Sequence, residues 1–284
     1  MASTKDIRRR IRVVKNIQKI TNAMKMVAAA RLRKAQDRAE AARPYAEKML
    51  HVVGDLADVT ASVSHPLLER REERVVVYVI VGGERGLAGS YNSNLMSRSL
   101  REMEDRDPSS VKLVVVGRKA VNFFRKRSYE ILDTMDSPGS GISFSAVEAI
   151  TRRLRRMYEN AEIDAVKLIY AKFVTPMTQI PTVVPILPMS TPEDLRTGPG
   201  DFIFEPSAEK LLASLLPKYL DTQVYQALVE SQASEQGARM TAMSAATKNA
   251  GEMIESLTLA YNKARQSAIT TEILEVVTGA EALS

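Results

Sequence analysis

Apolar positions along this chain follow two periods, and the switch between them divides it into three parts. From about Ser3 to Ala61 the spacing is helical: Ile7, Ile11 and Val14 stand 4 and 3 apart, then Ile17, Ile20, Met24 and Val27 stand 3, 4 and 3 apart. Ser3 can cap this helix, and no proline or glycine intervenes before Pro44 and Gly54. Pro44 predicts a kink or a join there. From about Ser207 to Leu283 helical spacing returns, interrupted only by Pro217, Gly237, Gly251 and Gly279. Within it Met243, Ala246, Ala250, Met253, Leu257, Ala260 and Ala264 form a heptad seam.

Between the helical parts the period shortens. RVVVYVIV (Arg74 to Val81) is a β-branched run, which marks a strand buried on both faces. VKLVVVG (Val111 to Gly117), YEILDTM (Tyr129 to Met135), DAVKLIYAKFV (Asp164 to Val174) and QIPTVVPILP (Gln179 to Pro188) read as further strands. Pro181, Pro185 and Pro188 place the last at a sheet edge. Helices are expected near Ser93–Glu104, through Phe123 and Phe124, and over Ser145–Asn160. Alternating strands and helices imply a mostly parallel sheet covered by helices.

Length then constrains the architecture. At 1.5 Å per residue the first helix reaches roughly 80 Å and the last about 110 Å. A compact globule of this size has a radius of gyration near about 19 Å, so both helices are expected to project from the α/β part. Winding them together, antiparallel, buries both apolar stripes. The expected organisation is an N-terminal coiled-coil helix (1–61), a central Rossmann-like α/β domain (62–206) and a C-terminal coiled-coil helix (207–284). A register with Met24 facing Met240 brings Arg12 to Glu252, Arg9 to Glu255, Lys34 to Glu230 and Arg43 to Asp221. In that register residues beyond about Tyr261 are unpaired, with Ile269, Ile273, Leu274, Val276, Val277 and Leu283 spread round a lone helix that needs surrounding protein.

Charge sharpens this picture. Residues 1–48 hold 14 Lys or Arg against 4 Asp or Glu, an excess of +10 within a chain of net +6. The basic beginning calls for pairing with the acidic end or for an acidic external partner. With no cysteine, disulfides, thiolate metal sites and thiol catalysis are excluded. His51 and His65 stand apart and read as surface residues. No stretch approaches the roughly 18 apolar residues of a membrane span, and MASTKDIRRRIR has no signal-peptide core, so a soluble, intracellular protein is expected.

Candidate chemistry is sparse. GGERGLAGSYN (Gly82 to Asn92) follows a buried strand, where nucleotide-binding loops sit, but its glycines are not spaced as GxGxxG and no GKS or GKT follows. A tight strand-to-helix turn is the reading these residues favour. Asp133, Asp136, Asp164 and Asp201 lack metal spacing, and no nucleophile, base and acid arrangement is legible. No catalytic, metal or cofactor-binding residue is therefore expected. The basic first helix suits nucleic acid in charge but lacks interleaved aromatics, with Tyr45 its single aromatic residue. A nucleic-acid-binding coiled coil, or an enzyme using the Gly82–Gly89 turn, are the other readings these residues allow.

Longer motifs carry a resemblance. KDIRRRI (Lys5 to Ile11), QKITNAMKMVAAARLRKAQ (Gln18 to Gln36), RPYAE (Arg43 to Glu47), ERGLAGSYN (Glu84 to Asn92), ASEQGARMTAMSAAT (Ala233 to Thr247) and YNKARQSAITTEILEVVTGAEAL (Tyr261 to Leu283) resemble, in order, the γ subunit of bacterial F-type ATP synthases. Glu84 stands where that family usually has Asp, and TTE where TQE is commoner. The resemblance implies a rotor shaft that couples proton or sodium flow to ATP synthesis and carries no catalytic site. It implies enclosure by three α and three β subunits, contact with ε and the c-ring, and a peripheral place on the cytoplasmic face of the cell membrane. By the same resemblance Met24, Lys25, Arg33, Arg239, Gln266, Thr270 and Glu272 are expected at subunit interfaces that bear torque, with the basic stretch Lys25–Lys34 facing an acidic β-subunit loop.

Overall fold

A computed structural model of the chain describes residues 4–59, 65–137, 141–189, 205 and 207–281. The proposed cap Ser3, the helix end at Leu283 and Asp201 lie outside them. Helix α1 (Thr4–Val59) is followed by β1 (Val76–Val81), α2 (Tyr91–Met103), β2 (Val111–Val116), α3 (Arg118–Phe124), β3 (Glu130–Met135), α4 (Phe144–Glu159), β4 (Ala165–Thr175), β5 (Thr178–Leu187) and α5 (Ala208–Glu281). The chain forms two compact units: residues 4–27 with 240–281, and Ala28–Arg239. Helix α1 runs on past Pro44, which has no N–H for the preceding turn, so no join occurs there.

In the larger unit five strands form one sheet in the order β3-β2-β1-β4-β5. Strands β1, β2, β3 and β4 pair in parallel, and β5 returns antiparallel to β4. All six residues of β1 are buried because the sheet is covered on both sides. Val77, Val79 and Val81 face one core with Met49, Val53 and Leu56 of α1, Leu154 of α4 and Leu216 and Leu220 of α5. Val76, Tyr78 and Ile80 face another with Leu95 and Met103 of α2 and Phe124 of α3. That two-sided burial is why the strand reads as an unbroken apolar run.

Both sheet edges resist further strands. Pro181 and Pro185 remove donors from β5. On β3, Arg153 of α4 donates to the Leu132 carbonyl (3.0 Å), and Asp133 accepts from the Thr134 N–H (2.8 Å). Groups satisfied in this way weaken each edge as a ladder for another chain.

In the smaller unit the antiparallel helices meet along polar as well as apolar positions. Thr247 donates to Thr21 at 2.9 Å, Arg8 donates to the Tyr261 hydroxyl, and a Cβ on Gly251 would lie 3.2 Å from Gln18. Paired positions thus add to 268 or 269, a shift of 4 to 5 residues from the register that set Met24 against Met240. Lys25, not Met24, therefore stands opposite Met243. On α1 the covered line is Ile7, Ile11, Val14, Gln18, Thr21 and Lys25, while Ile17, Ile20 and Val27 are exposed. On α5 the line runs through Met243, Thr247, Ala250, Ile254, Leu257, Tyr261 and Ala264, while Met253 and Ala260 are exposed. Ile7, Ile11 and Val14 on α1 and Met243, Ala250, Leu257 and Ala264 on α5 are covered as their spacing predicts. From Ile17 to Val27 the apolar spacing follows the neighbouring, exposed stripe, and the contact there uses Gln18, Thr21 and Gly251 because the backbones approach closely.

The charge pairings expected from a Met24–Met240 register fall with it. Glu252 pairs with Lys248 of its own helix (3.7 Å), Glu230 accepts from the Phe173 N–H (3.1 Å), and Asp221 accepts from Thr151. The pairing reaches Ala264 rather than Tyr261, and every described side chain from Arg265 to Thr278 is exposed.

Gly117, between β2 and α3, has φ +87°, and a Cβ there would sit 2.4 Å from the Gly82 carbonyl oxygen. Gly117→Ala should cost at least about 2 kcal/mol by strain and collision. Gly86→Ala, where the nearest atom is the far end of Lys119 at 3.5 Å, should stay within about 0.5 kcal/mol. Urea unfolding of the two variants checks this: similar midpoints would contradict it.

Candidate functional site

Helix α5 crosses the carboxyl ends of the sheet with a segment buried all round. Residues 231–239 are all buried, though six of the nine are polar or charged: Ser231, Gln232, Ser234, Glu235, Gln236 and Arg239. Small residues between them let the helix approach: a Cβ on Gly237 would lie 3.2 Å from both the Phe173 ring and Pro176. Polar groups at such depth require partners, and the rim of the sheet supplies them. Ser231 donates to the Val81 carbonyl (3.2 Å) and shares a 2.7 Å hydrogen bond with Tyr91, and Ser234 donates to the Ala171 carbonyl (2.8 Å). Glu235 accepts from the backbone N–H groups of Glu84 and Arg85, both at 3.4 Å. Arg239 pairs with Glu235 one turn away and donates to the carbonyls of Arg85 (3.2 Å) and Gly86 (3.3 Å).

The glycine turn is thus bound to the chain's own helix. Glu84 adds a second tie: its carboxylate accepts from the N–H groups of Arg118 and Ser137, each at 3.3 Å, and pairs with the Arg118 guanidinium. A cavity of about 460 Å³ remains beside these groups, lined also by Arg31, Asp136, Gln232 and Gln236. Among the described residues no cluster of His, Asp and Glu could hold a metal ion. His65 is spent locally, its Nδ1 accepting from the Leu67 N–H at 3.2 Å, and burial lowers its pKa.

The residues assigned to interfaces by resemblance divide into three. Arg239 is buried in the clasp just described. Met24 and Lys25 are half-buried and Arg33 is exposed. Gln266, Thr270 and Glu272 lie on the exposed stretch of α5, where Thr270 donates back to the Gln266 carbonyl at 3.0 Å. Glu235, Ser231, Ser234 and Tyr91 escaped the sequence reading. The available signal was the run SQASEQGAR itself, where helical apolar spacing lapses without a gain in lysine.

Two uncovered apolar surfaces complete the picture. On α1, Val13, Ile17, Ile20 and Val27 are 50%, 47%, 59% and 51% exposed, a heptad stripe beside the paired one. On α5, Ile269, Ile273, Leu274, Val276 and Val277 are exposed on a single helix. No helix among the described residues is long and apolar enough to cross a membrane.

Glu230 anchors the clasp toward β4, beside a cavity of about 380 Å³ that Glu40 and Arg43 also line. Burial raises its pKa above the usual carboxylate value, against the opposing pull of the Phe173 N–H, Lys172, the Tyr170 hydroxyl and Arg43. A carboxyl whose folded pKa is raised lends stability at acid pH that is lost as pH rises through the folded pKa. Glu230→Gln should therefore stabilise the chain at pH 8, with the gain vanishing below about pH 4.3. Thermal unfolding of both proteins across that range tests the sign; a gain confined to low pH would contradict it.

Comparison with known proteins agrees with this architecture. The family model described as ATP synthase matches residues 3–283. The chain is 49% identical to the ATP synthase gamma chain of Desulforamulus reducens over 284 residues, covering 100% of both. It is 48% identical to that of Desulfitobacterium hafniense over 283 residues, again covering 100% of both. The central stalk of the Tetrahymena thermophila mitochondrial ATP synthase matches with a TM-score of 0.60 at 26% identity, over 80% of this chain and 99% of that one. In fold alone, a chain of the Euglena gracilis mitochondrial enzyme matches with a TM-score of 0.68 at 18% identity, over 99% and 94%. The chain belongs to the gamma chains of ATP synthase, whose place is the rotor shaft of the complex's central stalk.

Proposed function

We propose that this subunit carries torque and performs no catalysis itself. In this reading its paired helices turn inside a ring of three α and three β subunits. Its α/β body stands on the c-ring with ε, at the cytoplasmic face of a bacterial cell membrane. The observation that carries the proposal is the apolar surface left uncovered: the Val13–Val27 stripe and the Ile269–Val277 tail. Exposed aliphatic residues in that number stabilise nothing in the chain itself, and burying each contributes about 1.5–3 kcal/mol. A wall that lies close around the helices accounts for them. The c-ring and F1 named with the solved Tetrahymena and Euglena structures support the same partners here.

The helical spans 1–61 and 207–284 then make the shaft, and 62–206 the foot. The cations Lys25, Arg33 and Lys34 suit an acidic loop on the β subunits, and Gln266, Thr270 and Glu272 suit polar contacts made at one angle of the shaft and broken at others. Because the Thr270 hydroxyl is held by its own helix, such contacts are weak. Removing the three side chains should slow coupled turnover while assembly persists on Ile269, Ile273 and Val276. Loss of assembly on Gln266→Ala alone would make this segment a fixed anchor instead.

The purified chain should hydrolyse no ATP. Hydrolysis that survives complete removal of α and β subunits would overturn the non-catalytic reading. Backbone amides of residues 265–278 should exchange rapidly in the isolated chain and slowly in the complex. Equal protection in both states would refute the enclosing wall.

A further inference from the structure

The strand order reverses at β1, with β2 on one side and β4 on the other. In open α/β sheets the crevice at the carboxyl ends beside such a reversal takes phosphate groups, held by backbone N–H donors of the first strand's turn. Here that place is filled. The Glu235 carboxylate, on a side chain only 5% exposed, accepts from the N–H groups of Glu84 and Arg85 that follow β1. Arg239, 7% exposed, stands against it as a counter-ion. Beside them Gln236 Oε1 is buried without a hydrogen-bond partner and lines the same cavity of about 460 Å³. That cavity has room for more than the carboxylate that reaches into it.

We infer that the glycine turn is an anion cradle whose resident anion is Glu235, and that without this carboxylate the cradle takes a phosphate or diphosphate. Helix α5 is then seated on the body as a ligand is seated in a receptor, with the carboxylate tethered at a high local concentration. The charges facing the site decide the sign of the effect. Arg31, Arg85, Arg118 and Arg239 confront Glu84, Asp136 and Glu235. Deleting Glu235 leaves four guanidinium groups against two carboxylates, together with two unpaired backbone donors. An incoming diphosphate meets those donors and Arg239, the arrangement in which charge-assisted hydrogen bonds are strongest. The inference concerns the chain alone and does not rest on its role as a shaft.

The test uses the full-length chain and inorganic pyrophosphate, with ionic strength held constant by potassium chloride. Pyrophosphate should leave the unfolding temperature of the wild type unchanged and raise that of Glu235→Ala saturably. Adding Arg239→Ala to that variant should weaken pyrophosphate binding by about tenfold or more. Glu235→Gln keeps the side chain's shape and guards against a failure of the alanine variant to fold. Its amides at Glu84 and Arg85 should exchange faster than in the wild type, because an uncharged amide oxygen is the weaker acceptor. A wild type that responds as the variants do, a variant response that never saturates or ignores Arg239, or unchanged exchange at Glu84 and Arg85 in Glu235→Gln would each overturn the inference.

Discussion

A helix stretch in which six of nine consecutive side chains are polar or charged, yet every residue is buried, is the constraint on which the α/β body depends. Each unpartnered buried donor or acceptor costs about 1–3 kcal/mol, so residues 231–239 have few places to lie. The carboxyl rim of a parallel sheet is such a place, because strand-end carbonyls and turn N–H groups there lack ladder partners. Val81 at the end of β1 and Ala171, where β4 runs on past β1, offer carbonyls to serines, and the turn after β1 offers N–H groups to Glu235. These bonds are directional and numerous, unlike the aliphatic contacts of residues 212–228 lower on the same helix. Apolar packing sets the distance between helix and sheet; the polar clasp fixes how far the helix is rotated and slid.

The paired helices obey a different rule. Their contact line alternates Ile, Val and Leu with Thr21, Gln18, Gly251 and Ala250. Small and polar residues at a seam bring backbones close and give up much of the interlocking that larger knobs provide. The aliphatic residues this leaves over stand on the outer stripe of α1. Ordinary globular helices put their best apolar residues inward, whereas here two stripes compete and the better one faces out. That inversion has no benefit to the chain by itself, and it leaves the stronger apolar surface of α1 free for the enclosing wall proposed above.

Most of the fold was legible because strand and helix periods are strong and uninterrupted: the five strands, the edge position of β5 and the long terminal helices all follow from spacing and proline. The register was not legible. Val13, Ile17, Ile20 and Val27 mimic a seam in period and hydropathy, and nothing in a single sequence says which of two adjacent stripes is paired. Thr21 and Thr247, which fix the alignment by a hydrogen bond, look like surface residues. The exposed tail was legible because length outran the partner helix in either register. The clasp was missed for the opposite reason: Glu235 and Arg239, four apart, look like a solvated ion pair, and only the sheet rim beneath them reveals a desolvated one. The turn they hold was singled out for its glycines, and its lack of a nucleotide motif gains a physical meaning once the acceptor is found within the chain.

A helix that turns within a wall must also avoid exchanging strong hydrogen bonds at every step. Along the far part of α5, Thr258, Thr270, Thr271 and Thr278 each donate to the carbonyl four residues back. Hydroxyls engaged in this way have spent their donor and present mainly a methyl group outward. With Ile269, Ile273, Leu274, Val276 and Val277 between them, the tail offers a wall contact that is mostly apolar and therefore non-directional. Such contact holds position while leaving barriers to rotation small. On the proposed reading, the same chain uses directional bonds where helix and body move as one, and non-directional ones where the helix slides.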